Sequence, residues 1–270
     1  MPVRIVQSKQ NPRLKELRRA LAHPGRAAQG LAAIEGPHLV EEALRAGLIL
    51  ETVFVAQEAK GLLEGLHLSP ETEVLLLPRE LLTGALATET PQPVAALLRP
   101  FDWVWRDVLE PANGQEPLVV VLAGLQDPGN LGTILRSAEA FGASGIVSLP
   151  GTVSAWNPKA VRASAGSLFR LPLVECGADE CFERLREAGV AVWATAVAGA
   201  KPLYRVNLTG PAAMLIGNEG NGVPAELARE AAGALTIPCP GPVESLNAAV
   251  AASVLLYEAS RQRAAGRRPR

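Results

Sequence analysis

The sequence predicts an α/β protein with a parallel sheet in its C-terminal half, on three observations. Apolar runs at Leu118–Leu122, Gly145–Leu149, Leu171–Val174, Ala191–Ala196, Ala213–Ile216 and Leu235–Ile237 recur with helical segments between most of them. Such near-continuous apolar strands belong to parallel sheets covered on both faces. Glycine- and asparagine-rich segments follow three of these runs, at the carboxyl ends where open α/β sheets bind ligands. Finally, periodicity is lost between Phe101 and Pro117, where Pro, Gly and Asn accumulate. The expected organisation is a small α/β domain over residues 1–105, a linker over 106–116 and the parallel-sheet domain over 117–270, a size that allows each part its own core.

In the first part, Asn11 to Ala22 sets Leu14, Leu17 and Leu21 at helical spacing among basic residues, and Gly36 to Ala46 gives a second helix. Thr52–Val55 and Val74–Leu77 read as strands, and Pro78 to Gly84 as a helix with proline near its start, where no backbone N–H is needed. In the second part, the segment Leu125-Gln-Asp-Pro-Gly-Asn-Leu-Gly-Thr-Ile-Leu-Arg turns from strand to helix. Asn130 is expected at the helix start, with Arg136 further along it. Alone, this segment is better explained as a capped, solvated helix, because a single Gly-rich turn is weak evidence. The next segment, Met214-Leu-Ile-Gly-Asn-Glu-Gly-Asn-Gly-Val-Pro, puts glycines at 217, 220 and 222 directly after a strand, which allows close backbone approach to a ligand, and sets Glu219 among them. The last, Ile237 to Glu258, delivers Ser245 and Asn247 from a proline-rich loop to an alanine-rich helix, with Ser245 as the simple N-cap alternative.

Composition excludes several classes. With 26 basic and 27 acidic residues and 48% hydrophobic content, disorder is a poor description. No apolar run approaches the ~20 residues of a membrane span, and the N-terminus lacks the apolar core of a secretory signal, so no membrane contact and a cytoplasmic location are expected. Cys176, Cys181 and Cys239 lack paired zinc spacing, so no metal site is expected. His23, His38 and His67 all fall in the first quarter of the chain, which argues against a Ser-His-Asp hydrolase built on the sheet domain. An aromatic content of 4% argues against a stacking platform for single strands. Charge is unevenly spread: residues 1–30 carry seven basic groups against Glu16 alone, and residues 261–270 carry five arginines and no acid. Basic ends on an acidic body suit phosphate contacts, and on charge alone they suit solubilising tails equally well.

Taken together and in this order, the three segments resemble the SpoU family of RNA ribose 2′-O-methyltransferases, within the knotted SPOUT superfamily. The family's motifs match Asn130 and Arg136, then Gly217-Asn218-Glu219-Gly220, then Ser245-Leu246-Asn247-Ala248. The region before the linker is similar to the family's substrate-binding domain, which resembles a kink-turn-binding ribosomal protein. The likenesses are Ser8-Lys9-Gln10-Asn11-Pro12, Glu35-Gly36 and Thr88-Glu89-Thr90-Pro91-Gln92, with Pro93 departing from the glycine common there.

The resemblance implies S-adenosylmethionine as methyl donor, held in a deep trefoil knot that backbone physics alone would not propose. It places Thr195, Ala196, Ile216, Gly217, Asn218, Ile237 and Leu246 around the donor, and Asn130, Arg136, Glu219, Ser245 and Asn247 in the catalytic pocket. It also implies a homodimer through the last helix, Asn247 to Ser260, with a small face of Ala248, Ala249, Ala251 and Ala252, and RNA as substrate, large-subunit ribosomal RNA ahead of transfer RNA. Within that frame Arg136 would hold a phosphate and stabilise the forming alkoxide, since a guanidinium is a poor base near neutrality. Asn130, Ser245 and Asn247 would orient Arg136 and the ribose, and Glu219 would fix the loop or Arg136. Two rivals are weaker. A non-catalytic RNA-binding protein of the same fold would not need every motif residue, and a dinucleotide-dependent oxidoreductase would carry Gly-x-Gly-x-x-Gly after its first strand.

Overall fold

The computed structural model describes residues 2–25, 30–86, 88–111, 114–196, 199–243 and 245–266. Arg26, Arg267, Arg268 and Arg270, counted above among the basic ends, lie outside them. The chain forms two compact units: Met1–Asp102 with Ser154–Phe169, and Trp103–Val153 with Arg170–Arg270.

The first unit contains β1 (Val3–Ile5), α1 (Pro12–Ala22), β2 (Ala32–Glu35), α2 (Pro37–Arg45), β3 (Leu50–Ala56), β4 (Glu73–Leu77), α3 (Arg79–Thr83) and β5 (Val94–Leu98). Helix α1 starts where the Asn11 side chain accepts the N–H groups of Arg13 and Leu14 at 2.9 and 3.2 Å, with Pro12 in the first turn. Its Leu14, Leu17 and Leu21 are buried in a core shared with Phe54, Leu75 and Leu97. The sheet runs β1-β4-β3-β5-β2, parallel across β1, β4 and β3 and antiparallel where β5 meets β3 and β2. Strands β1, β2 and β5 go unread in the sequence. β2 and β5 hold Ala-Ala pairs that carry little strand preference, and their burial comes from pairing Ile34 with Ala96 and Ala33 with Leu97. Of the α1 cations, Arg13 is held by Glu16, Glu51 and Glu73 at 2.8, 3.8 and 3.5 Å, and is thereby withdrawn from the phosphate contacts its position suggested.

The second unit begins with α4 (Trp105–Leu109), then β6 (Leu118–Leu122), α5 (Pro128–Ala140) and β7 (Gly145–Ser148). Helix α4 stands where the sequence suggested the start of a linker. It forms because the Asp107 carboxylate accepts the Val104 N–H at 2.9 Å and because Val108 is wholly buried, a tertiary cause that local composition does not show. Residues Ser154–Phe169, with α6 (Pro158–Ser164), then group with the first unit, where Val161, Leu168 and Phe169 are buried. The remaining elements are β8 (Leu173–Glu175), α7 (Ala178–Glu187), β9 (Ala191–Thr195), β10 (Lys201–Pro202), β11 (Ala212–Ile216), α8 (Ala225–Glu230), β12 (Gly233–Thr236) and α9 (Ala248–Gly266). Their sheet runs β10-β12-β9-β11-β6-β7-β8 with every described pairing parallel. The apolar strands thus form the sheet that their composition predicts.

Helix α9 is long and apolar on most sides. Ala249, Ala252, Leu255, Leu256 and Ala259 are buried within the unit, where α9 packs along α5. Two of the four alanines expected to face a second subunit therefore point inward. The outward side carries Val250 and Tyr257, 50% and 54% exposed, with Tyr257 edge-on to Phe141 at 5.8 Å. At the helix end the Arg263 guanidinium donates to the carbonyls of Glu116, Pro117, Leu208 and Gly210 at 2.7, 3.0, 3.0 and 2.6 Å. One side chain thereby satisfies four backbone acceptors on segments distant in sequence. No described helix is long and apolar enough to cross a membrane.

Candidate active site

The carboxyl ends of β6, β11 and β12 send out the loops that carry the three motif segments. Gly217 leaves β11 under a strict spatial limit. A Cβ there would lie 2.1 to 2.2 Å from backbone atoms of Gly222 and Val223, so only glycine fits. The loop doubles back through two backbone hydrogen bonds between Asn218 and Gly222, at 3.0 and 2.9 Å. Asn218 fixes it further: its Oδ1 accepts the N–H groups of Gly220 and Asn221 at 2.9 and 3.1 Å, and its Nδ2 donates to the Gly124 carbonyl at 2.9 Å. This loop is consequently tied to the end of β6.

Glu219 extends the tie. Its carboxylate accepts the Gln126 N–H at 3.2 Å, the Asp127 N–H at 3.0 Å and the Asn130 Nδ2 at 3.1 Å. Partial desolvation presses this carboxyl upward, but the hydrogen bonds from Asp127, Asn130, its own backbone and Gln126 prevail and hold it below the ordinary carboxylate value. Asn130, only 8% exposed, in turn accepts from the Asn247 Nδ2 at 3.0 Å. Asn247 caps α9, its Oδ1 accepting the N–H groups of Ala249 and Val250 at 2.9 and 3.2 Å. An unbroken chain thus runs from the α9 cap through Asn247, Asn130 and Glu219 to the start of α5.

Three expectations change with this geometry. Helix α5 begins at Pro128 and is capped by Asp127, whose side chain accepts the Gly129 N–H at 2.7 Å, so Asn130 lies inside the first turn. Asn247 replaces Ser245 as the α9 cap because its amide reaches two N–H groups and leaves an N–H donor for Asn130. Arg136 is exposed on α5, with no hydrogen-bond or ion-pair partner among the described residues. Neither Glu219 nor the two asparagines orient it.

Beside this brace lies a cavity of about 590 Å³. Thr195, Ala196, Ile216, Gly217, Asn218, Ile237 and Leu246 line it, together with Glu219, Ser245 and Asn247. Thr195 is anchored by its hydroxyl to the Leu215 carbonyl at 3.0 Å. Asn130 and Arg136 lie outside the lining. Leu235, Cys239, Val243 and Leu255 belong to it and were not expected there from the sequence, and Ala251, expected to face a second subunit, lines it too. Leu255, two turns beyond Asn247 on the same helix face, was open to that reading by helical spacing, whereas Cys239 and Val243 depend on how the proline-rich loop folds. The volume suits a nucleoside-sized ligand. Apolar walls from Ile216, Ile237 and Leu246 fit a planar base. Glu219 is the acidic side chain of the lining, as a cationic donor would favour. Among the described residues no cluster of His, Cys, Asp and Glu could hold a metal ion.

Residues 117–257 match the SpoU rRNA Methylase family, and residues 11–96 match the MRM3-like substrate binding domain. The chain is 32% identical over 252 residues to the 23S rRNA (guanosine(2553)-2'-O)-methyltransferase RlmP of Bacillus subtilis, covering 93% of this chain and 97% of that one. Among solved structures it is similar to the SpoU methyltransferase AviRb from Streptomyces viridochromogenes in complex with AdoMet, with a TM-score of 0.84 and 30% identity, over 96% of this chain and 100% of that one. It is similar also to an AdoMet-bound rRNA methyltransferase from Sinorhizobium meliloti, with a TM-score of 0.83 and 32% identity, over 96% and 98% of the two chains.

Proposed function

Because the chain belongs to the SpoU rRNA methylase family, we propose that it transfers the methyl group of S-adenosylmethionine to a ribose 2′-hydroxyl of RNA, with large-subunit ribosomal RNA as substrate. The observation that carries this reading is the cavity at the carboxyl ends of parallel strands, walled by the second and third motif segments and braced to the first through Glu219, Asn130 and Asn247. S-adenosylmethionine supplies an electrophilic methyl on a sulfonium. The chain's own residues hold acceptor and donor in line, and such positioning accounts for much of the rate.

In this reading Thr195, Ala196, Ile216, Gly217, Asn218, Ile237 and Leu246 enclose the donor. Ser245, exposed at the cavity, orients the ribose. Arg136 receives the substrate: its five N–H donors, uncommitted within the described chain, grip a phosphate in bidentate fashion and stabilise the forming alkoxide. The hydroxyl proton leaves to that phosphate or to water, since a guanidinium does not accept it at neutral pH. Glu219, Asn130 and Asn247 act by positioning, since their polar atoms are occupied by one another and by backbone N–H groups.

The reading includes a homodimer in which the outward side of α9, with Val250 and Tyr257, meets a second copy. It includes the trefoil threading of the C-terminal segment. It also includes a cytoplasmic location and a division of labour in which the first unit selects the RNA and the second transfers the methyl group. Mapping ribose methylation in RNA from cells with and without the protein tests the substrate. A 2′-O-methyl lost from large-subunit ribosomal RNA fits the proposal, a loss confined to transfer RNA moves the enzyme to the other substrate class, and no loss refutes both.

A further inference from the structure

Between residues 188 and 218 the only charged side chains are Lys201 and Arg205, both basic. Arg205 and Tyr204 lie on a short helical turn, Leu203–Arg205, that follows the edge strand β10, which holds Lys201. Leu203 is buried and anchors the turn, while Tyr204 is 65% exposed. The Arg205 guanidinium carbon sits 5.8 Å from the Tyr204 ring centroid, so ring and cation form one stacked unit facing solvent. Among the described residues the side chains of Lys201, Tyr204 and Arg205 have no hydrogen-bond or ion-pair partner.

The turn is backed by rigid structure. The Val206 N–H donates to the Leu203 carbonyl at 3.0 Å, and the Gln262 side chain of α9 donates to the Val206 carbonyl at 3.0 Å while accepting the Leu208 N–H at 2.8 Å. Lys201 pairs in register with Leu235 of β12, which lines the donor cavity, so the unit stands one strand from the cavity wall. The Glu258 carboxylate on α9, which shares Gln262 with the Val206 carbonyl, is taken up by Arg261 and Gln262. An exposed ring held on a fixed backbone, stacked with a guanidinium and flanked by a second cation, has the attributes of a nucleic-acid contact: a face for a base and charge for its phosphates.

We propose that Tyr204 and Arg205 form a stacking platform for one unpaired base of the RNA substrate, with Lys201 contacting an adjacent phosphate. The proposal rests on the reading that the substrate is RNA. Low aromatic content argues against a continuous platform for a long strand, but a single base needs a single ring.

The test uses the full-length protein and unmodified 23S ribosomal RNA transcribed in vitro, with affinity measured across a potassium chloride series. Y204A should weaken binding about tenfold, as the loss of one base stack, whereas Y204F, which keeps the ring, should bind within about twofold of wild type. K201A should reduce the slope of log affinity against log salt by about one. Sedimentation should leave the oligomeric state of Y204A unchanged. Unaltered RNA affinity in Y204A, or a change in its oligomeric state, overturns the platform while leaving the methyltransferase reading in place. A wild-type protein that binds no RNA overturns both.

Discussion

Arg136 and Glu219 are charged residues of adjoining motifs with opposite circumstances. Arg136 has no partner among the described residues, whereas Glu219 has three donors besides its own backbone. Replacing Arg136 by Lys keeps the charge and loses the bidentate fork, so turnover should fall by about 10²-fold or more with little change in donor affinity. Single-turnover kinetics and calorimetry separate the two, and near-normal turnover would reduce Arg136 to a solvated helix residue. Glu219 has its carboxyl held below the unfolded value of about 4.5. A depressed carboxyl contributes stability that is fully present above the unfolded value and is lost as pH falls through the folded one. Below about pH 4.5 the wild type should therefore lose stability faster than Glu219→Gln, as read by urea denaturation at stepped pH, and parallel pH profiles would remove Glu219 from the brace. The sequence showed that Asn130, Glu219 and Asn247 belong together, but which atoms meet depends on loops brought together across about a hundred residues, and spacing carries no such information.

Helices and strands were legible in proportion to how locally they are determined. Helix α1 announces itself through Asn11, Pro12 and the Leu14, Leu17, Leu21 spacing, and β6 through five consecutive apolar residues. Strands β2 and β5 draw their burial from each other, and α4 from the pocket that receives Val108, so neither is written in its own segment. Helix α9 was legible as a helix, but its side toward the unit was misread because alanine fits a buried contact as well as a subunit interface. Its end depends on Arg263, whose guanidinium burial lowers below its ordinary value without discharging it. Arg263→Ala leaves four carbonyls without their charged donor and should cost about 2 kcal/mol or more by chemical denaturation. A loss within experimental error would show that water replaces the clamp.

At the scale of the molecule, Ser154–Phe169 group with the first unit, so residues 1–105 do not separate cleanly from the rest of the chain. Deleting residues 1–105 would strip cover from Val161, Leu168 and Phe169, which are at most 4% exposed. That truncation should aggregate or melt at lower temperature, and a second version in which a short Gly-Ser linker replaces 154–169 should recover a monodisperse species that binds S-adenosylmethionine. Equal behaviour of both versions would contradict the grouping. The central claim is the reaction itself, and its most direct measurement uses S-adenosylmethionine labelled in the methyl group with unmodified 23S ribosomal RNA and DNA of the same sequence. After digestion to nucleosides the account predicts label in a 2′-O-methyl nucleoside from the RNA alone, because DNA lacks the acceptor. Label in a base, label in both nucleic acids, or no label in either would contradict it.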